Sequence, residues 1–446
     1  MEKLNIVIKG CKILTPEYKI LNGSSIGIKG NRIAVIAPFE EIEKKYEIET
    51  ILDGYNKLAM PGLVDGHVHT CQEFLRGGTC DEYPMIWTRF LIPFESNLDE
   101  SDVYASSRLC ALEMLKNGTT GFAESGGPLI HAAVKGYVES GMRARLAYSI
   151  MDQGREIPDC MKSDKESLIK MTEDLYHEAN GAGDGRIGIY FGIRQIMTCS
   201  PDLMRMTAEK ARELNTGVHM HLEEHKDEVK FCLQNYKMRP VDLIESLGLL
   251  GDNLITAHSV VMTDSEIRRV AQNHVNVVHN PRSNLSNHGM PRVSTLLEWG
   301  ANIGLGTDGT SGNGMDIFEE MKILRQGEKF AYGLSLFDPK CMTVEKLLEF
   351  ATKGGAHAIG TWKEAGSIEV GNLADIITIN LDQPHISPSL NLVATLVDHV
   401  NGNDVADSII DGKLVMKDRE VLTMDEKEIM REAQIHSDKI RVKAGF

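Results

Sequence analysis

The chain has 446 residues, 42% hydrophobic and 25% charged, the proportions of a soluble globule long enough for one large domain and a smaller one. Its 64 acidic against 48 basic side chains leave a net charge of −16, which argues against binding of a nucleic-acid backbone and for work on a small molecule. The 8 cysteines include no CxxC pair, no run is long enough to span a bilayer and the first residues lack a secretory core, so a cytoplasmic protein with no membrane partner is expected.

Taken in order, Leu4–Gly10 and Cys11–Thr15 read as short strands, and Ser25–Ile36 as two β-rich pieces around a Gly30-Asn31 turn. The far end has the same texture over Ala374–Asn380, Val393–Val397 and Ser408–Met416, the last with a turn at Asp411-Gly412. Both ends are therefore expected to build one small β-sandwich, residues 1–57 with 371–421, followed by a helical tail over 422–446. Between them strands and helices alternate. Asp99–Lys116 reads as a helix, Thr119–Glu124 and Arg186–Phe191 as strands, Pro201–Leu214 as a helix and Gly217–His221 as a strand. A charged helical stretch to Leu249 precedes the strand Leu254–His258, a helix opened by Thr263, and the runs Val275–His279, Val293–Trp299 and Asn302–Asp308. This alternation predicts an α/β fold, a (β/α)8 TIM-type barrel over 58–370. A doubly wound sheet would call for a glycine-rich phosphate fingerprint that the sequence lacks.

The segment Pro61-Gly-Leu-Val-Asp-Gly-His-Val-His69 ends a strand on two alternating histidines, His67 and His69, which point to the same side. His221, His258 and Asp308 close later apolar runs, at strand ends where a barrel concentrates its chemistry. The donors His67, His69, His221 and Asp308 suit one divalent ion per subunit, zinc or iron(II), with a position left open for a water whose pKa the ion lowers. Glu224, three residues past His221, reads either as a general acid/base or as a solvated member of the acidic stretch 223–228. His258 reads as a donor that steadies developing negative charge rather than as a fifth ligand. His219 shares the face of His221 but lies deeper, as an inner-layer barrel residue.

These segments, with Val278-His-Asn-Pro-Arg-Ser-Asn284, Gly304-Leu-Gly-Thr-Asp-Gly309 and Gly366–Asp375, resemble the amidohydrolase superfamily, specifically its mononuclear deaminases of cytosine, guanine and adenosine-like substrates. The resemblance implies metal ligation by His67, His69, His221 and Asp308, with Asp308 also taking the first proton from water. It further implies Glu224 as the proton shuttle, His258 as the polarising group, hydrolytic release of ammonia, and a homodimer or larger homo-oligomer. Gln72 and Arg194 resemble the glutamine and arginine of guanine deaminases, so the expected substrate is an oxo-amino heterocycle of guanine or pterin type. Methylthioadenosine and S-adenosylhomocysteine deaminases carry a histidine in place of Arg194 and an arginine in place of Tyr148, which counts against an adenosine-type nucleoside. That nucleoside, an aminotriazine, a binuclear centre through Glu124, and a non-catalytic metal-binding scaffold are the alternatives. Arg282 either adds a second cation for the ring or pairs with an acidic loop residue. Trp87, within the aromatic stretch Gly77–Phe94, is expected in a wall or lid over a planar substrate, or in a subunit contact.

Overall fold

The computed structural model describes residues 2–79, 81–82 and 86–445. Cys80 and residues 83–85 of the expected lid lie outside the described residues.

Eight parallel strands close into a barrel: β1 (Leu63–His69), β2 (Thr119–Glu124), β3 (Arg143–Leu146), β4 (Ile187–Ile189 and Phe191–Ile193), β5 (Val218–Leu222), β6 (Leu254–His258), β7 (Asn276–His279) and β8 (Asn302–Leu305 and Asp308–Gly309). Two of them are interrupted, and each interruption redirects the hydrogen bonding. The first half of β4 pairs with β3 and the second with β5; the first half of β8 pairs with β7 and the second with β1. The ring therefore closes at Asp308, which stands in register with Val68 between the two histidines of β1.

Helices cover the strands, and their starts are written in short side chains. Asp99 caps Glu100–Lys116 in a reciprocal box with Asp102, Thr263 caps Asp264–Gln272 with Glu266, and Ser200 caps Pro201–Glu213. Strand β3 escaped the sequence reading because its four residues, Arg-Ala-Arg-Leu, carry two charges and no apolar run. The run 393–397, expected as a strand, is the helix Leu392–Asp398. The Asn391 side chain caps it by accepting from the Ala394 amide, and Val393, Leu396 and Val397 fall on one buried face.

The two chain ends share one mixed sheet of nine strands, so the expected sandwich is continuous in its hydrogen bonding. Lys57–Pro61 is the junction, parallel to Glu2–Leu14 on one side and antiparallel to Ile376–Asn380 on the other. Glu2–Leu14 is a single strand where two were expected, with Gly10 at φ 68° inside a register shift between Ile8 and Cys11. Ile6, Ile8, Ile26, Ile28, Ile376 and Ile409 pack together on one face of this sheet, apart from the barrel core. The tail helix Glu426–Ala444 lies on Glu100–Lys116, with Arg108 bonded to Glu428 and Glu432, and Lys439 to Asp99 and Asp102. Among the described residues no helix is long and apolar enough to cross a membrane.

Candidate active site

The carboxyl ends of β1, β5, β6 and β8 bring His67, His69, His221, His258 and Asp308 together. His69 Nε2 lies 3.1 Å from His221 Nε2, and Asp308 Oδ1 lies 3.5 Å from Nε2 of both His67 and His69. Donor atoms of His67, His69 and Asp308 sit within 4.8 Å of one another, as do those of His67, His221 and His258. Burial lowers the pKa of His67, His69 and His221, so these imidazoles are neutral. Burial works in the opposite direction on Asp308, but His67 and His258 outweigh it and hold this carboxyl well below the usual range. Nε2 of His67 and of His258 are buried without a hydrogen-bond partner. Converging neutral nitrogens beside one ionised carboxylate fit a single divalent cation, which satisfies lone pairs that nothing else in the cavity meets.

Groups behind the ligands fix how they face. His219 Nε2 lies 2.9 Å from His67 Nδ1, leaving Nε2 of His67 toward the centre, while the Ser125 hydroxyl lies 2.9 Å from His69 Nδ1 and 3.0 Å from its Nε2. His219 is thus more than barrel filling, because it orients His67. Asp65 accepts from the His67 amide (3.2 Å), the Thr307 amide (3.1 Å) and the Thr307 hydroxyl (2.5 Å), tying β1 to the break in β8 that delivers Asp308. Asp308, His258, Ser259 and Glu223 all have positive φ, 63°, 72°, 53° and 50°. Four non-glycine residues in that region around one centre are strain kept where it aims functional groups.

Glu224 stands just past β5 as the sequence places it, half-buried with its side chain 19% exposed and both oxygens engaged by neighbours. Its Oε2 accepts from Gln195 Nε2 at 3.0 Å, its Oε1 lies 3.0 Å from His288 Nε2, and His258 Nε2 is 3.9 Å away. Burial raises its pKa, yet His258 and His288 overcome that and hold the carboxyl at about 2, so it rests ionised. His258 Nδ1 is engaged by Asn284 Oδ1 at 2.9 Å and Asn280 Nδ2 at 3.3 Å, which leaves Nε2 directed at the cavity between Glu224 and Asp308.

The residues expected to read the ring behave differently. Gln72 and Arg194 both line the cavity, but both are bonded to Glu95: Gln72 Nε2 at 2.8 Å, Arg194 Nη1 at 3.2 Å and Nη2 at 3.3 Å. Trp87 also lines it, with its ring 5.8 Å from the Arg194 guanidinium. Tyr148 does not line it, and its hydroxyl lies 2.8 Å from His131 Nδ1. Arg282 does not line it either; its Nε is 3.9 Å from Glu320, a helix residue rather than the loop acid expected, and its backbone amide donates to Glu320 at 2.8 Å. Glu124 accepts from the Thr70 amide at 2.9 Å, burial lifts its pKa to about 7, and among the described residues it joins no cluster of metal donors. Gln195, His288, Glu95 and Ser125 were not foreseen. Gln195 adjoins Arg194 in sequence, whereas Glu95 and Arg194 are 99 positions apart and no local pattern links them.

Neutral imidazoles and one ionised carboxylate at the ends of barrel strands, with a half-buried ionised glutamate beside them, define a metal-dependent hydrolase. The chain belongs to the amidohydrolase family, whose pattern matches residues 58–415. It is similar to a 5′-deoxyadenosine deaminase of Methanocaldococcus jannaschii, 37% identical over 91% of this chain and 94% of that one. It is also similar to a 5-methylthioadenosine/S-adenosylhomocysteine deaminase of Pelotomaculum thermopropionicum, 35% identical over 96% and 97%. Among solved structures, an adenosine deaminase from Xanthomonas campestris with bound zinc superposes with a TM-score of 0.91, at 27% identity and 99% coverage of both chains. Site and relatives together make this chain a metal-dependent hydrolase acting on a C–N bond of a small cyclic amidine.

Proposed function

We propose that the chain deaminates the adenine ring of a nucleoside, 5′-deoxyadenosine or a 5′-thioether of adenosine, with one zinc ion per chain. The observation that carries this reading is the engagement of Gln72 and Arg194 by Glu95. Those two side chains were the grounds for an oxo-amino ring, and a guanidinium neutralised by a buried carboxylate no longer offers a free cation to a ring carbonyl. Tyr148, the other ground for setting adenosine aside, faces His131 rather than the cavity. The relatives named for 5′-deoxyadenosine and methylthioadenosine support the same substrate class.

His67, His69, His221 and Asp308 would hold the ion, which when bound supplies Lewis-acid charge and makes a water nucleophilic near neutral pH. Asp308 takes a proton from that water. Glu224 carries it to the ring nitrogen next to the amino-bearing carbon, with His288 and Gln195 fixing its two oxygens. His258, steadied at Nδ1 by the two asparagines, turns Nε2 toward the oxygen that joins the ring carbon. A C–O bond forms, the proton that Glu224 delivers stays on the ring nitrogen, and the remaining hydroxyl proton passes to the amino group; the C–N bond then breaks and ammonia departs, leaving a carbonyl.

Ammonia release from 5′-deoxyadenosine, methylthioadenosine, S-adenosylhomocysteine, adenosine, guanine, isoxanthopterin and an aminotriazine tests the reading. The adenine nucleosides are expected to lead; fastest turnover of guanine, the pterin or the triazine overturns it. We also place the protein in the cytoplasm as a homo-oligomer. Phe330, Leu334, Leu336 and Phe337 expose a run of apolar surface that supports association, and sedimentation as a single chain at micromolar concentration would contradict it.

A further inference from the structure

A second cavity, of about 1250 Å³, opens at the amino-terminal ends of the barrel strands, opposite the catalytic one. It is bounded by the first residues of β4, β5 and β8 and by the turn 357–363. Small-molecule sites generally occupy about 300–1,000 Å³, so this space admits a ligand of nucleotide size.

Arg145, on β3, lines it. Its guanidinium donates to carbonyl oxygens, Nε to Ile359 at 2.8 Å, Nη1 to Ala144 at 3.1 Å and Arg186 at 3.3 Å, and also meets the Tyr190 phenol. Among the described residues no carboxylate pairs with it, whereas Arg143, two positions earlier on the strand, meets both Asp375 and Asp411. Burial lowers the pKa of Arg145, opposed chiefly by the phenol of Tyr190, so the site holds a cation at a cost that an anion would relieve.

Glycines make the room. A β-carbon on Gly188 would sit 2.8 Å from Arg145 Cδ, and one on Gly217 would sit 2.4 Å from the Tyr190 ring. Arg145, Arg212 and Lys363 line the cavity against one acid, Asp252, in a chain whose net charge is −16. At the rim Trp362, 51% exposed, stacks on His357 with ring centroids 5.1 Å apart.

We propose that this cavity binds a phosphate-bearing small molecule, the phosphate seated on Arg145 beside Tyr190 and, where the ligand carries a flat ring, the ring on Trp362. The phosphate of a nucleotide and free phosphate share the chemistry, and the test separates them. Metal-loaded protein is titrated calorimetrically with uridine 5′-phosphate, uridine and inorganic phosphate; uracil has no exocyclic amine to lose. Uridine is expected to bind on the order of 10-fold or more weakly than its phosphate, the scale of a charge-assisted contact. Arg145→Met should abolish binding of both phosphates. If Trp362→Ala weakens uridine 5′-phosphate but not inorganic phosphate, the ligand is a nucleotide; equal binding of both by that variant and the wild type identifies free phosphate. Should Arg145→Met fail to fold, Lys363→Gln, an exposed change, is expected to weaken both phosphates by severalfold. Three results overturn the proposal: no binding of either phosphate at millimolar concentration, undiminished binding by folded Arg145→Met or by Lys363→Gln, or competitive inhibition of ammonia release by uridine 5′-phosphate, which would put it in the catalytic cavity.

Discussion

Two groups of side chains in the catalytic cavity handle charge in opposite ways. His67, His69, His221 and Asp308 direct neutral nitrogens and an ionised carboxylate at one point, and buried nitrogens there lack partners. Gln72 and Arg194 both donate to Glu95, so the cation that looks free in the sequence is already paired, while Gln72 Oε1 is left buried without a partner. The first group is incomplete without an ion, whereas in the second the buried cation already has its carboxylate. Chemistry belongs to the incomplete group, and a buried charge pair is weak evidence for a substrate contact.

The contrast breaks most fully at Asp308. Asp308→Ala removes the only carboxylate of the ligand set, and metal affinity should fall by more than the ~100-fold that loss of an outer-shell partner costs. Elemental analysis should then find far less than one ion per chain and ammonia release should drop to background. Full metal content with normal turnover would end the assignment.

Glu224→Gln separates the proton carrier from the ligands. The amide keeps its contact with His288 in shape but accepts no proton, so kcat should fall by about 10²–10⁴-fold while metal content stays at one ion. Turnover near that of the wild type would return Glu224 to a structural part.

Glu95 tests the paired group. Glu95→Ala leaves the Arg194 cation buried and unpaired, which should cost about 3–5 kcal/mol in denaturant unfolding. The double change Glu95→Leu with Arg194→Met should recover most of that loss. If the single variant is as stable as the wild type, Arg194 is not held by Glu95 and becomes available to a ring again.

The same contrast explains what the sequence disclosed. His67 and His69 were legible because alternation along a strand is a local rule, and His221, His258 and Asp308 because barrels place functional groups at strand ends. The break in β8 that carries Asp308 was hidden, since Asn302–Asp308 reads as one apolar run and only pairing with β1 splits it. Glu95 was silent for another reason: a buried partner 99 positions away leaves no spacing to read. With that partner unseen, Arg194 looked free and the substrate reading leaned toward an oxo-amino ring. Strand β3 was missed because its arginines serve Asp375 and the amino-terminal cavity, and neither demand shows as hydrophobic period.

The smallest effect expected concerns the neighbour of the proton carrier. Glu223 precedes Glu224, but its positive φ turns the side chain away, to Arg239 Nη2 at 3.2 Å beside Glu266. Burial first, and the Glu266 carboxylate second, push its pKa up to about 10, so it is protonated where Glu224 is ionised. In the unfolded chain a glutamate titrates near ~4.3, so between there and about 10 the folded state holds the extra proton and stability falls as pH rises. Glu223→Gln mimics the protonated acid and removes that dependence. Thermal unfolding of the variant should be flatter from pH 6 to pH 9 and its midpoint higher at pH 9 by about 1–2 °C, the scale of a kcal/mol in a long chain. An unchanged slope with a lower midpoint in the variant would show that Glu223 is ionised in the fold and that its pairing with Arg239 is what stabilises the turn leading into Glu224.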